Sequence, residues 1–120
     1  MTPKEIVLEF YKPDVLLDRN AVNELLHPEV TIDWNSSKGF IQMNHADILA
    51  LTDDLQKAYT RSKTRISHVI EEESMVVVRY SHFVKTIENP TEEMLLAHFF
   101  VIWEVKDGKL YRGFQMSQFS

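Results

Sequence analysis

The chain has 120 residues, is 44% hydrophobic and 26% charged, and carries a net charge of −5, which excludes a disordered or fibrous protein and makes one domain, residues 1–120, with one core. The acidic balance argues against nucleic acid as a partner, because phosphate contacts demand a basic surface. With no cysteine there is neither a disulfide framework nor a thiolate metal site, and a reducing, cytoplasmic location suits the chain.

The start, MTPKEIVLEFYK, has charges inside its apolar pattern and no cleavage signature, so it is expected to be a helix of the mature protein and not a signal peptide. Thr2 caps it, Pro3 suits the first helical position and Glu5 completes a capping box. Ile6, Val7, Phe10 and Tyr11 recur at helical spacing, and Pro13 ends the helix. A second helix is expected from Asp18 or Asn20, carrying Val22, Leu25 and Leu26 and stopped by Pro28. Val30-Thr31-Ile32 reads as a strand that runs into Asp33 and Trp34 and then into a turn-rich loop, Asn35 to Gly39. Asn44 with Asp47 caps a third helix whose apolar face is Ile48, Leu51, Leu55 and Tyr59. The basic cluster Arg61, Lys63 and Arg65 then reads as a solvated helix-to-strand connection or an anion-binding edge. Strands are expected over Ile66–Ile70, Met75–Thr86, Leu95–Val105 and Leu110–Phe119, with turns at Glu71–Ser74, Glu88–Thr91 and Asp107-Gly108. Short turns between them make an antiparallel meander after a helical half, an α+β class. No apolar run approaches the roughly 20 residues that span a bilayer, so no membrane segment is expected.

In this order, the helix TPKEIVLEFYK, the passage NELLHPEVTIDW and the final hairpin VIWEVKDGKLYRGFQMSQF resemble the nuclear transport factor 2-like superfamily, in its SnoaL-like and steroid-isomerase-like branches. The resemblance implies a cone-shaped barrel: N-terminal helices packed in a strongly bent, mostly antiparallel sheet, with a hydrophobic pocket at the wide end. It also implies homodimers formed through the sheet's outer face. Because that fold hosts isomerases, cyclases, hydrolases and plain binding modules, function must come from the site.

Asp33 matches the position of the proton-transfer base in steroid-isomerase-like members; read from its residues alone, it is either a solvated strand-end group or a carboxylate at a pocket mouth. A carboxylate beside Trp34 in an apolar cavity would be poorly solvated and tuned toward proton transfer. The family's oxyanion-holding Tyr lands on Phe10, with Tyr11 next to it, and its late-strand acid falls among Phe99, Phe100, Val101 and Ile102, where there is none. Epoxide-hydrolase-like members need Asp-Arg-Asp on neighbouring strands. Arg79 sits mid-strand, but Leu95–Trp103 offers no acid, so Arg79 either meets ligand or pairs on the outer face or across a dimer.

If the Asn89-Pro90 turn joins its strands symmetrically, His82 and His98 stand opposite each other on one face, either structural or assisting catalysis. Two imidazoles without a third ligand hold no metal, and no metal or cofactor is expected. The rings Trp34, Tyr59, Phe99, Trp103, Phe114 and Phe119 pack the core or, at the mouth, touch ligand, with Met43 and Met116 as adaptable lining. Three functions compete: proton transfer on a small hydrophobic molecule with Asp33 as base, a non-catalytic module for such a ligand, and a dimeric scaffold.

Overall fold

Each helix begins where the sequence supplies a cap. In the computed structural model, which describes residues 1–120, α1 (Pro3–Phe10) starts from Thr2: its hydroxyl accepts the Glu5 N–H at 3.1 Å, and the Glu5 carboxylate accepts the Thr2 N–H at 3.0 Å. The pair satisfies two donors that the first turn would leave orphaned. Asp14 follows in a left-handed conformation (φ 66°), and one 3-10 turn (Val15–Leu17) leads into α2 (Arg19–Leu25), capped by Asp18. The helix α3 (His45–Ala58) starts from the expected Asn44–Asp47 box.

Six strands follow the same chain order: β1 (Leu26–Ser36), β2 (Gly39–Asn44), β3 (Tyr59–Glu72), β4 (Met75–Thr86), β5 (Met94–Lys106) and β6 (Lys109–Phe119). They form one sheet in the order β2-β1-β6-β5-β4-β3. Only β1 and β6 run parallel; every other ladder is antiparallel. Asp107 (φ 55°) and Gly108 (φ 70°) make the two-residue hairpin that was expected of them, since both central residues of such a turn need positive φ.

Three expectations need correction. The helix before Pro28 stops earlier, at Leu25, and Pro28 lies inside β1 where the ladder to β6 is interrupted between Leu26 and Thr31. A residue with no N–H fits such an irregularity. The segment after Asn35 is not all loop: Ser37-Lys38 turn, Gly39 takes φ 107°, and β2 folds back on β1. The strand escaped detection because GFIQMN buries only Met43, which leaves no two-residue period to see. Tyr59 opens β3 and does not close α3, so Arg61, Lys63 and Arg65 are strand residues whose side chains alternate with the buried Ser62 and half-buried Thr64. Small polar residues facing inward hid that half of the strand. The expected α+β cone, helices packed in a bent and mostly antiparallel sheet, is formed, with the sheet left open between its edge strands β2 and β3. Ladder irregularities in four of its five pairings bend it, and α3 touches β1, β2 and β3, bridging the gap between the two edge strands.

The core lies between the concave face and α1. Trp103 and Leu110 are fully buried there with Val76, Val78 and Val101, against Ile6, Val7 and Phe10. Gly113 makes this possible: a Cβ added to it would come within 2.9 Å of the Trp103 ring and 3.2 Å of Ile32. No helix is long and apolar enough to cross a membrane.

Candidate functional site

Above that core the curled sheet and α3 leave a cavity of about 470 Å³, lined by 24 residues of which 16 are hydrophobic. This is within the size range of small-molecule sites. Its floor is Trp103, whose indole N–H donates to the Tyr11 hydroxyl at 3.0 Å while Phe10 packs edge-on against the ring at 5.8 Å. One wall is aromatic: Phe99 stacks on Tyr80 at 4.9 Å and meets Trp34 at 6.2 Å. Trp34 is fixed in turn by its indole N–H, which donates to Ser117 Oγ at 2.8 Å. Ile48, Leu51, Thr52 and Leu55 of α3 close the opposite side.

One imidazole stands in this apolar setting. His82, on β4, is 4% exposed and lines the cavity two residues from Tyr80 on the same strand face. Its Nε2 is 2.7 Å from Ser62 Oγ on β3. Ser62 is itself pinned by Asp14: its N–H donates to Asp14 Oδ1 at 2.9 Å, and its carbonyl accepts the Asp14 N–H at 2.8 Å. Every fully buried polar side-chain atom has a hydrogen-bond partner, and the only partner of the His82 ring is at Nε2. Its Nδ1 has no hydrogen-bond partner in the chain, on a ring that lines the cavity. Burial disfavours the imidazolium and pulls the His82 pKa down to about 4, so the ring is neutral at pH 7. Burial likewise pushes the Tyr80 and Tyr11 phenols up, keeping both hydroxyls protonated.

The structure divides the expected site residues. Trp34, Tyr59, Phe99, Trp103 and His82 line the cavity, with Met43 among them. Tyr11 lies one layer behind, supporting Trp103 and packing 4.6 Å from Tyr80. Asp33 is a correction: neighbours on a strand point to opposite faces, and with Trp34 turned inward the carboxylate of Asp33 lies on the outer face, accepting the Gln42 side-chain amide at 2.8 Å. Arg79 is exposed on that face and donates to Ser67 Oγ at 3.0 Å. Met116 is 64% exposed there.

His98 is a correction too. The register pairs His82 with Ala97 and Ser81 with His98, so the two imidazoles face opposite sides and His98 Nδ1 contacts Ser81 Oγ at 2.9 Å outside the cavity. A bulge after His82 shifts the ladder by one residue, and such a shift exchanges the faces of a strand. No carboxylate or guanidinium lines the cavity, and no three His, Cys, Asp or Glu side chains cluster to hold a metal ion. What sequence reading missed is the Ser62 partner of His82, brought to it by the β3–β4 pairing.

Helices held in a strongly curled, mostly antiparallel sheet, with a ligand-sized apolar hollow, define the nuclear transport factor 2-like class. Within it, the SnoaL-like domain model matches residues 7–113, and the chain belongs to that family. Similar solved structures include IdmH of Streptomyces antibioticus, described as a candidate polyketide cyclase, at 13% identity and TM-score 0.76, covering 98% of this chain and 92% of that one. An NTF2-like protein of unknown function from Burkholderia pseudomallei is similar at 18% identity and TM-score 0.68, covering 100% and 92%. An LEH-like epoxide hydrolase from M. tuberculosis is similar at 14% identity and TM-score 0.71, covering 98% and 82%. At these identities the likeness is one of fold. A search of curated proteins finds no match.

Proposed function

We propose that this protein binds a small, largely apolar, carbonyl-containing molecule in the cavity, and that His82 moves a proton on it in an isomerase- or cyclase-like step. The observation that carries the reading is the neutral, Ser62-held imidazole, its Nδ1 unpaired, on the wall of an apolar hollow of about 470 Å³. In the tautomer whose Nε2–H donates to Ser62 Oγ, Nδ1 holds a lone pair toward the ligand. It would take a proton from the carbon next to the carbonyl, the electron pair passing to the carbonyl oxygen. Tyr80, kept protonated by burial and lining the cavity on the same face, would supply a hydrogen bond to that developing oxyanion by turning its hydroxyl from Tyr11. A base titrating near 4 is adequate for such chemistry where the oxyanion is well held, as carboxylate bases of similar strength in isomerases show.

Both tryptophans of the chain line the cavity, so quenching of their fluorescence by polycyclic ketones measures binding. Deuterium uptake at the ketone's α-carbon in heavy water measures proton transfer without knowledge of the product. The expected result is binding with exchange, with exchange lost in His82→Gln while binding persists. Binding without any exchange would leave the non-catalytic ligand-holding module, the alternative function; absence of binding would remove both.

We also propose that the protein is a cytoplasmic homodimer joined through the outer sheet face. Phe40, Phe100, Phe114 and Met116 are each between 44% and 64% exposed and with Ile102 line one shallow groove. Contiguous apolar surface of this kind supports an interface there. Asp33 and Arg79 flank it, and neither has an oppositely charged partner within the chain.

A further inference from the structure

The cavity has an electrical asymmetry that the apolar reading does not use. The chain holds 18 acidic residues against 13 basic ones, yet the only formally charged side chain among the cavity's lining residues is a cation, Lys38. It sits in the turn between β1 and β2, at the mouth. Its ammonium group has no carboxylate within ion-pair distance; it lies 5.8 Å from the centre of the Phe119 ring.

The turn that carries Lys38 is built in place. Its own N–H donates to Ser36 Oγ at 3.1 Å, the Ser36 hydroxyl donates to the Gly39 carbonyl at 3.3 Å, and Ser37 Oγ accepts the Phe119 N–H at 3.3 Å. The last bond ties the turn to the end of β6, and the Trp34–Ser117 bond ties the same two strands just below. Ser36 and Ser37 both line the mouth, adding hydroxyls beside the ammonium. Deeper in, the polar groups are uncharged: Thr52, Tyr80 and a neutral His82.

We infer that the ligand is an amphipathic anion: an apolar body with an uncharged polar group near His82 and a carboxylate, or another acidic group of like geometry, at the mouth beside Lys38. An anionic group placed deep would lose its hydration with no charge to meet it. At the mouth it stays partly hydrated and gains a cation. A cationic ligand finds no acid anywhere in the lining. This inference rests on the proposal that the cavity holds an apolar ligand, and names the chemical class that the cavity selects.

The test compares two probes of nearly the same shape, an anthracene carboxylate and the corresponding anthracene carboxamide, by tryptophan quenching at low and high salt. The carboxylate is expected to bind the wild-type protein about threefold to fivefold more tightly than the amide at low salt, the size of a solvent-accessible ion pair. High salt should erase the preference. Lys38→Gln should abolish it without weakening the amide, and Lys38→Glu should reverse it. Lys38 is exposed, so both variants are expected to fold; unchanged thermal midpoints would check this. Equal affinity of both probes for wild type and Lys38→Gln would overturn the anion preference while leaving an apolar ligand site standing. If neither probe quenches the wild type, the ligand reading itself falls, and this inference with it.

Discussion

At the scale of single residues, His82 makes a definite statement about acid stability. Its folded-state pKa of about 4 lies below the ordinary value of 6.5 because burial penalises the charged ring. As pH falls through 6.5 the unfolded chain takes up this proton first, so the folded state loses stability from there down to about 4 and no further below. Between about pH 7.5 and about pH 5 the loss from this one group is about 2 kcal/mol. His82→Gln keeps a donor for Ser62 and has nothing to titrate. Urea unfolding at the two pH values should therefore show a slope in the wild type that is shallower by that amount in the variant; parallel slopes would mean the ring is better solvated than its burial says. Asp33 gives the opposite expectation. Its carboxylate is outside the cavity, bonded to Gln42, and Asp33→Asn should leave ligand affinity and α-proton exchange unchanged. A loss of exchange in that variant would return the base to the position that the family resemblance suggests.

At the scale of elements, the sharpest prediction concerns β6. A methyl group on Gly113 would press against Trp103 at 2.9 and 3.0 Å, and that ring cannot retreat: it is fully buried and held by Tyr11. Gly113→Ala is expected to cost about 1–3 kcal/mol, as overpacking does, visible as a lowered thermal midpoint; an unchanged midpoint would show slack under the indole. The legibility of the elements varied for physical reasons. In β4, Val76, Val78, Tyr80, His82 and Val84 alternate inward between less buried neighbours, so the strand is plain in the sequence, as are the capped helices and the Asp107-Gly108 turn. β2 and the first half of β3 were hidden because an edge strand buries little and because Ser62 and Thr64 face inward as small polar residues. The site was legible as a set of rings, not as a geometry. Parity says that Asp33 and Trp34 face opposite ways but not which of them faces in. The faces of His82 and His98 depend on one bulge after His82 that no pattern of residue types announces.

At the scale of the whole molecule, the outer face carries the last prediction, and the sheet register supplies its geometry. Asp33 on β1 pairs across to Phe114 on β6 and Ile102 on β5; one row away, Met116 on β6 pairs to Phe100 on β5 and on to Arg79 on β4. The apolar residues thus occupy the two middle strands, with an acid on one side and a base on the other, separated by three strand spacings, about 14 Å across the sheet, and by one row along it. A two-fold axis lying in the interface plane between β6 and β5 would seat the Phe114–Met116 strip on the partner's Phe100 and Ile102. The same rotation brings Asp33 over the partner's β4, one row or about 7 Å from the partner's Arg79 and within reach of that long side chain, and Arg79 likewise toward the partner's Asp33, the reciprocal contact that an isologous interface requires. Reversing one charge should set like charges together twice per dimer. Asp33→Arg alone, or Arg79→Asp alone, is therefore expected to weaken association by roughly tenfold or more, and the double exchange Asp33→Arg with Arg79→Asp to restore it. Sedimentation equilibrium on the four proteins distinguishes this pairing from simple hydrophobic contact, which would leave all four alike. A wild type that stays monomeric at high concentration would leave the outer face without a second copy. Because both substitutions lie on the face opposite the cavity, ligand binding per chain should be the same in all four.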